Sequence, residues 1–470
     1  MSLLLLAIAA ALGVLFFQWT PYSSFFKDIV TGIKKSVHVI TCSKISDHWK
    51  ERCLPSYSII ILVSSLKLLA AFCTLFVPFG ALILFFQSSD FDLVSKSLTL
   101  EGITVSTLSA LITFASLTYF GKQPATQGYS SASKLLHQLV LSHPAIGQLL
   151  FEIESTSNKK QITEQQDQRH VFVSGLARAG TTILMREIYS SGQFSSLTYN
   201  DMPFVLAPNL WQKLRGKTEK GELKERYHGD GILEDYDSPE ALEEVYWRTF
   251  NSDNNEEKLV LTKDRVETST LQSFAEYIAL IKLCHKNERY LSKNNNNTLR
   301  LEALASHFNS SAFLVPFRSP IQQALSLKRQ HSFLCSSQAK DPFVRKYMKW
   351  LSHNEFGIDK KRMNPEGVAF SYEDKEDLNY WLEEWIAVYS YILEISDQHE
   401  SILPISYELL CEETEIYWPQ LLNKLSLVTS TYPELSLSSA PTEMAVDSEL
   451  LKKAEEIYFQ LNDTFKQKLA

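Results

Sequence analysis

Nineteen consecutive residues without a charge, 68–86 (LLAAFCTLFVPFGALILFF), constrain this chain more than any other feature. A helix of that length with no polar face suits the hydrocarbon of a bilayer better than a soluble domain, whose surface helices keep a polar stripe. Two further runs flank it. Residues 2–17 (SLLLLAIAAALGVLFF) are uncharged and lack the basic start of a secretory signal, so a signal-anchor or a first spanning helix is expected. Residues 103–120 (ITVSTLSALITFASLTYF) are richer in Ser and Thr but of spanning length. For the second and third runs the alternative is a buried helical hairpin. The loop 18–57 carries Lys27, Lys34, Lys35, Lys44, Lys50 and Arg52, whereas 87–102 carries Lys96 alone. The positive-inside rule then puts 18–57 in the cytoplasm. If the second and third runs both cross, everything after residue 121 returns to that side. The expectation is a multi-pass membrane protein with a cytoplasmic polar domain.

The 470 residues leave room for more than one domain. The pattern divides them into a membrane region 1–121 with two or three spanning helices, a connector 122–168, and an α/β domain 169–470. The connector's apolar patch, LLHQLVLSHPAIGQLLFEI, predicts a membrane-proximal or domain-packing helix. A net charge of −8 and the lack of a Lys/Arg stripe exclude a nucleic-acid partner. The six cysteines, at 42, 53, 73, 284, 335 and 411, form no CxxC pair or Cys/His cluster, so neither a metal site nor a disulfide framework is expected.

The polar part opens with HVFVSG (170–175), of buried-strand length, and TTILMREIYSSG (181–192), which suits a helix ending at Gly192. Between them runs Gly175-Leu-Ala177-Arg178-Ala179-Gly180-Thr181-Thr182. A turn feeding a helix N-terminus presents unpaired N–H groups and the positive end of the helix dipole, an anion site. Gly175 and Gly180 let the backbone close, Arg178 offers a charged fork, and Thr181 and Thr182 offer hydroxyls. Thr181 stands where a nucleotide-hydrolysing P-loop carries its lysine, which weakens a kinase or NTPase reading. A chance strand–turn–helix is the alternative for the turn by itself.

A second strand-to-helix junction follows at AFLVPFRSPIQQALSLKRQ (312–330). Arg318 ends the strand, Pro320 suits the first helical turn, and Ser326 lies eight residues after Arg318. Two such junctions in one α/β domain suit one ligand with phosphates at both ends.

These motifs resemble the sulfotransferase superfamily, whose donor is 3′-phosphoadenosine 5′-phosphosulfate (PAPS). Its 5′-phosphosulfate loop reads G-x-P-R-S-G-T-T, matched by Gly175 to Thr182 with Ala177 and Ala179 in place of Pro and Ser. Its 3′-phosphate site, Arg-Asp-Pro with a Ser eight residues after the Arg, is matched by Arg318-Ser-Pro and Ser326. The stretch RYLSKNNNNTLRLEALASHFNSSAFLVPFRSP (289–320) aligns Lys293 with the family's catalytic lysine. ILPISYELLCEE (402–413) is similar to its Y-E-D-L strand, which implies that Tyr407 lies near the adenine. The likeness spans about 169–470. It implies a P-loop-like three-layer domain, a mostly parallel sheet flanked by helices, that moves a sulfuryl group from PAPS without a metal. The anchor suggests a carbohydrate, glycolipid or other membrane-proximal hydroxyl as acceptor.

An acceptor needs a general base within hydrogen-bond reach. Relatives carry Glu or His about twenty residues after the loop arginine; here Tyr199 is near that place. Asp201 is the first candidate and His228 the second, with a turn cap and an exposed loop residue as their structural alternatives. NNNN (294–297) reads as a site loop or a solvated turn, WLEEWIAVYSYI (381–392) as core, and FVRKYMKWLSHNEFG (343–357) as an acceptor-cleft wall or a solvated amphipathic face. The rivals are a P-loop kinase or NTPase, for which no acidic Walker-B strand is found, and a catalytically inactive membrane scaffold of the same fold. A lumenal domain would oppose the charge asymmetry and place a glycan on the sequon at Asn296, beside Lys293.

Overall fold

The structure, a computed structural model, describes residues 2–18, 20, 22–41, 47–85, 93–120, 136–138, 140–163, 169–215, 224–225, 233–234, 238–251, 259–427, 432–433, 435–437 and 445–470. The chain divides into two units, Met1–Leu135 and Leu136–Ala470.

In the first unit the helix Tyr22–Thr41 packs along Asp47–Cys73, and Ser2–Gln18 packs along Leu100–Phe120. Ser109 Oγ donates to the Ala7 carbonyl at 2.6 Å across the second pair. Among the described residues one helical stretch, Trp49–Ala81, is long and apolar enough to cross a membrane. It has 33 residues, a mean hydropathy of 2.3 over its most apolar window, and 11% of that window buried. Ile59, Leu62, Leu66, Leu69 and Phe72 on it are exposed among the described residues, an apolar surface. The apolar stretches of the other two runs, Leu5–Val14 and Leu100–Leu111, are shorter. Where two or three spans were expected, one helix of crossing length is found among the described residues. It starts inside the segment taken for a loop, because Lys67 interrupts an apolar run that continues through IIILVSSL. The cytoplasmic placement needed two crossings after residue 57 and is not carried further.

In the second unit five strands form a parallel sheet: β1 Val171–Val173, β2 Phe194–Ser195, β3 Arg289–Lys293, β4 Ala312–Phe317 and β5 Ile402–Ser406, in the order β2-β3-β1-β4-β5. A parallel sheet is covered on both faces, so its strands are continuous apolar runs rather than alternating ones. Phe172, Tyr290, Phe313 and Val315 face a core with Phe274, Trp385 and Tyr389, and Phe172 stacks on Phe313 at 5.0 Å. Val171, Val173, Leu291 and Leu314 face the opposite core with Leu184, Met185, Ile188 and Phe465. The result is the expected three-layer α/β arrangement.

The connector's packing helix is Pro144–Ser157, and it belongs to this unit. Phe151 lies edge-on to Tyr246, Phe250 and Tyr277. Glu154 caps the helix Pro208–Arg215: Oε1 accepts from Asn209 N at 3.0 Å and Oε2 from Leu210 N at 2.8 Å. Burial raises the Glu154 pKa, although these hydrogen bonds oppose the rise.

Candidate active site

Strand register brings the predicted site together. Val173 pairs with Lys293 across β1–β3, and Phe317 with Ser406 across β4–β5. Lys293, Arg318 and Tyr407 and the turn after β1 thus all emerge at the carboxyl edge of the sheet, where open α/β folds bind ligands. There Ala177, Arg178, Gly180, Thr181, Thr182, Lys293, Arg318, Ser326 and Tyr407 line one cleft of about 240 Å³.

The turn is built to close on this point. Gly175, Arg178 and Gly180 adopt φ of 108°, 66° and 89°. Gly180 caps the helix Thr181–Tyr189, and a Cβ there would sit 2.4 Å from the Tyr407 ring. Glycine is therefore required twice over, by the left-handed backbone and by the ring. Arg178 holds a conformation that costs a non-glycine residue about 1 kcal/mol. Its Nε donates to Ser326 Oγ at 3.0 Å, which locks the side chain against the second junction. Arg318 Nη1 donates to the Arg178 carbonyl at 3.5 Å, and its guanidinium lies 5.4 Å from the Tyr407 ring centroid. Gln323 ties the two junctions at a deeper level. Its Nε2 donates to the Ala177 carbonyl at 3.1 Å, while its Oε1 accepts from Arg318 N at 3.2 Å and Trp385 Nε1 at 3.0 Å.

Gly175 and Ala179 lie behind the cleft wall. Gly175 N donates to Thr298 Oγ1 at 2.9 Å, and Ala179 is fully buried. Tyr407 starts a helix, Tyr407–Glu412, rather than lying in a strand. Burial, the largest influence, raises the pKa of its phenol.

Asp201, the first predicted base, is not brought to the cleft. Asp201 is 1% exposed, and its Oδ2 accepts from Thr198 N at 2.7 Å and Thr198 Oγ1 at 3.1 Å. His285 Nε2 lies 3.1 Å from the same oxygen. The turn-capping alternative is the one observed. Asp201, Cys284 and His285 gather their donor atoms within 4.8 Å. However, burial and the Asp201 and Glu154 carboxylates push the Cys284 thiol up to about 12, which opposes the thiolate a metal would need. His228 lies outside the described residues.

Glu240, Asn295, Gln330, Met348, His353, Glu355 and Phe356 also line the cleft; Asn295 lies in the expected site loop and Met348, His353, Glu355 and Phe356 in the expected cleft wall, while Glu240 and Gln330 carried no sequence signal. The asparagine run is a 3₁₀ helix, Asn295–Arg300, buried throughout rather than solvated. Asn294 and Asn297 donate to Glu244 and Glu243 at 2.7 Å each, and Asn295 Nδ2 donates to Glu355 Oε1 at 2.8 Å. Asn296 is 5% exposed and donates to the Ser352 carbonyl, which leaves no room for a glycan in the folded domain. Burial works against charge on Glu355, but His353, Lys293 and the Asn295 hydrogen bond outweigh it and hold the carboxyl below its ordinary range. The cleft thus carries the cations of Arg178, Lys293 and Arg318 and the side chains of Glu240, His353 and Glu355.

A three-layer parallel α/β domain with a glycine-bearing turn, two arginines and a lysine at the sheet's carboxyl edge is chemically suited to an anionic ligand. Residues 169–374 match the family model described as "Sulfotransferase family". That stretch, somewhat under half of the chain, is similar to the family. Among solved structures the chain is similar to sulfotransferase STF1 of Mycobacterium tuberculosis H37Rv, at 12% identity and a TM-score of 0.38, covering 76% of this chain and 90% of that one. Sulfotransferase STF9 of Mycobacterium avium has 12% identity and a TM-score of 0.39, with 74% and 80% covered. No curated protein matches the sequence.

Proposed function

We propose that the domain 169–470 transfers a sulfuryl group from PAPS to an acceptor hydroxyl. The observation that carries this reading is the meeting of Arg178, Ser326, Arg318 and Lys293 in one cleft with the N-terminus of the helix Thr181–Tyr189. The turn Gly175–Thr182 would hold the 5′-phosphosulfate on backbone N–H groups and the hydroxyls of Thr181 and Thr182. Arg318 and Ser326 would hold the 3′-phosphate, with the Tyr407 ring near the base. Lys293 neutralises charge on the group in flight and on the leaving phosphate, which is where such transfers gain most. The exposed apolar helix Trp49–Ala81 supports attachment to a membrane and, with it, a carbohydrate, glycolipid or other membrane-proximal acceptor.

Calorimetry with adenosine 3′,5′-bisphosphate, the desulfonated product, tests the donor. Micromolar binding by the wild type, lost in Arg318→Ala and unmatched by ATP with Mg²⁺, is the expected result. Tight ATP binding with no response to the bisphosphate would replace this reading with a kinase. Binding of neither would leave a scaffold.

A further inference from the structure

Resting on that reading, the loop behind the helix Pro342–Trp350 carries the missing base. His353 lines the cleft, and its Nε2 lies 3.1 Å from the Ala241 carbonyl oxygen. A carbonyl oxygen only accepts, so Nε2 carries the hydrogen. In the neutral ring Nδ1 is then the nitrogen with the free electron pair. The Ala241 contact therefore does what an orienting group does for a catalytic imidazole: it selects the tautomer and holds the ring. Glu355 lies two residues on, in the same cleft, ionised and anchored by Asn295.

We infer that His353 is the general base that removes the acceptor's proton through Nδ1. In that step the acceptor O–H proton passes to Nδ1 and the acceptor oxygen forms a bond to sulfur. The bond between sulfur and the bridging phosphate oxygen breaks, and its electron pair leaves with the 5′-phosphate of adenosine 3′,5′-bisphosphate. Lys293, at the end of β3, lines the same cleft as Arg178, Arg318, Glu240 and Glu355. Asn295, 3% exposed, stands in the cleft wall, where its Nδ2 donates to Glu355.

The test uses the full-length chain, PAPS and a series of substituted phenols whose pKa values run from below to above the assay pH. His353→Gln keeps an N–H for the Ala241 carbonyl but offers no base. Expected is a loss of about 100-fold or more for phenols that must be deprotonated, with little loss for phenols already ionised. Binding of the bisphosphate should be unchanged, which shows that the donor site is intact. A uniform loss across the series, or none, overturns the assignment. So does an acceptor-dependent loss in Glu355→Gln that His353→Gln lacks, because the carboxylate would then be the base. If the wild type neither binds the bisphosphate nor consumes PAPS, the proposed function itself fails, an outcome distinct from these.

Discussion

Arg178 Nε donates to Ser326 Oγ at 3.0 Å across a sequence separation of 148 residues. With the Gln323 bond to the Ala177 carbonyl, it joins the turn after β1 to the helix after β4, so the two junctions line one cleft. Ser326→Ala removes the acceptor and releases an arginine held at positive φ. Binding of adenosine 3′,5′-bisphosphate should weaken by about 1–2 kcal/mol, roughly five- to thirtyfold, with the melting temperature nearly unchanged. Calorimetry beside thermal unfolding checks both halves.

Gly180 tolerates no side chain. In Gly180→Ala the new Cβ meets the Tyr407 ring at 2.4 Å and the backbone stays at φ 89°. A loss of about 1–3 kcal/mol in stability is expected, together with loss of bisphosphate binding. Adding Tyr407→Leu should return the steric part but not the part due to φ. A double-mutant cycle in urea separates the two, and strict additivity would contradict the clash.

Arg300 is the cation of a buried network. It pairs with Glu244 Oε2 at 2.9 Å and Asp264 Oδ2 at 2.7 Å and lies over Trp247 at 4.6 Å. Burial, set against this guanidinium, raises the Glu244 pKa. Arg300→Met strands two carboxylates and should cost about 3–5 kcal/mol by denaturant unfolding. Glu244→Gln in that background should restore part of it. Because Asn294 and Asn297 share this network and lead into Lys293, activity should fall further than stability alone explains.

Two buried histidines set the acid limit. Tyr290 N donates to His170 Nδ1 at 3.1 Å, and Gly357 N donates to His331 Nδ1 at 3.2 Å, so protonation would place a hydrogen on an occupied nitrogen. Burial, helped by neighbouring cations, lowers His170 to about 3 and His331 to about 4. Both folded values lie below the unfolded one, so the unfolded chain binds more protons as pH falls under about 6.5. The stability is complete above that pH and is lost on the way down toward pH 4, by at most about 1.4 kcal/mol per unit for each histidine. Urea unfolding from pH 7 to pH 4 measures the slope, which should be shallower in His331→Gln. An equal slope in the variant would remove His331 as a cause.

The donor side of this protein was written locally. A strand, a turn with Gly175, Arg178 and Gly180, and a helix are contiguous, and so are Arg318, Pro320 and Ser326. Short-range geometry alone makes them strand-to-helix junctions, and parallel pairing of apolar strands puts both at one edge. The helix Trp49–Ala81 was half legible, because Lys67 broke the uncharged run that marked it.

The acceptor side belongs to the tertiary structure. Four asparagines in a row have the composition of a solvated turn. They are buried because Glu243, Glu244 and Glu355 arrive from distant segments to satisfy them. Asp201 has the right chemistry for a base, yet its lone pairs are spent on Thr198 and its place is under the surface. His353 carries no local signal of a base, since its tautomer is set by the carbonyl of Ala241, 112 residues earlier. A phosphate cradle is a backbone conformation, and neighbouring residues encode it. A base is a side chain whose proton, orientation and access are assigned by groups from elsewhere in the chain, and only the folded protein brings them together.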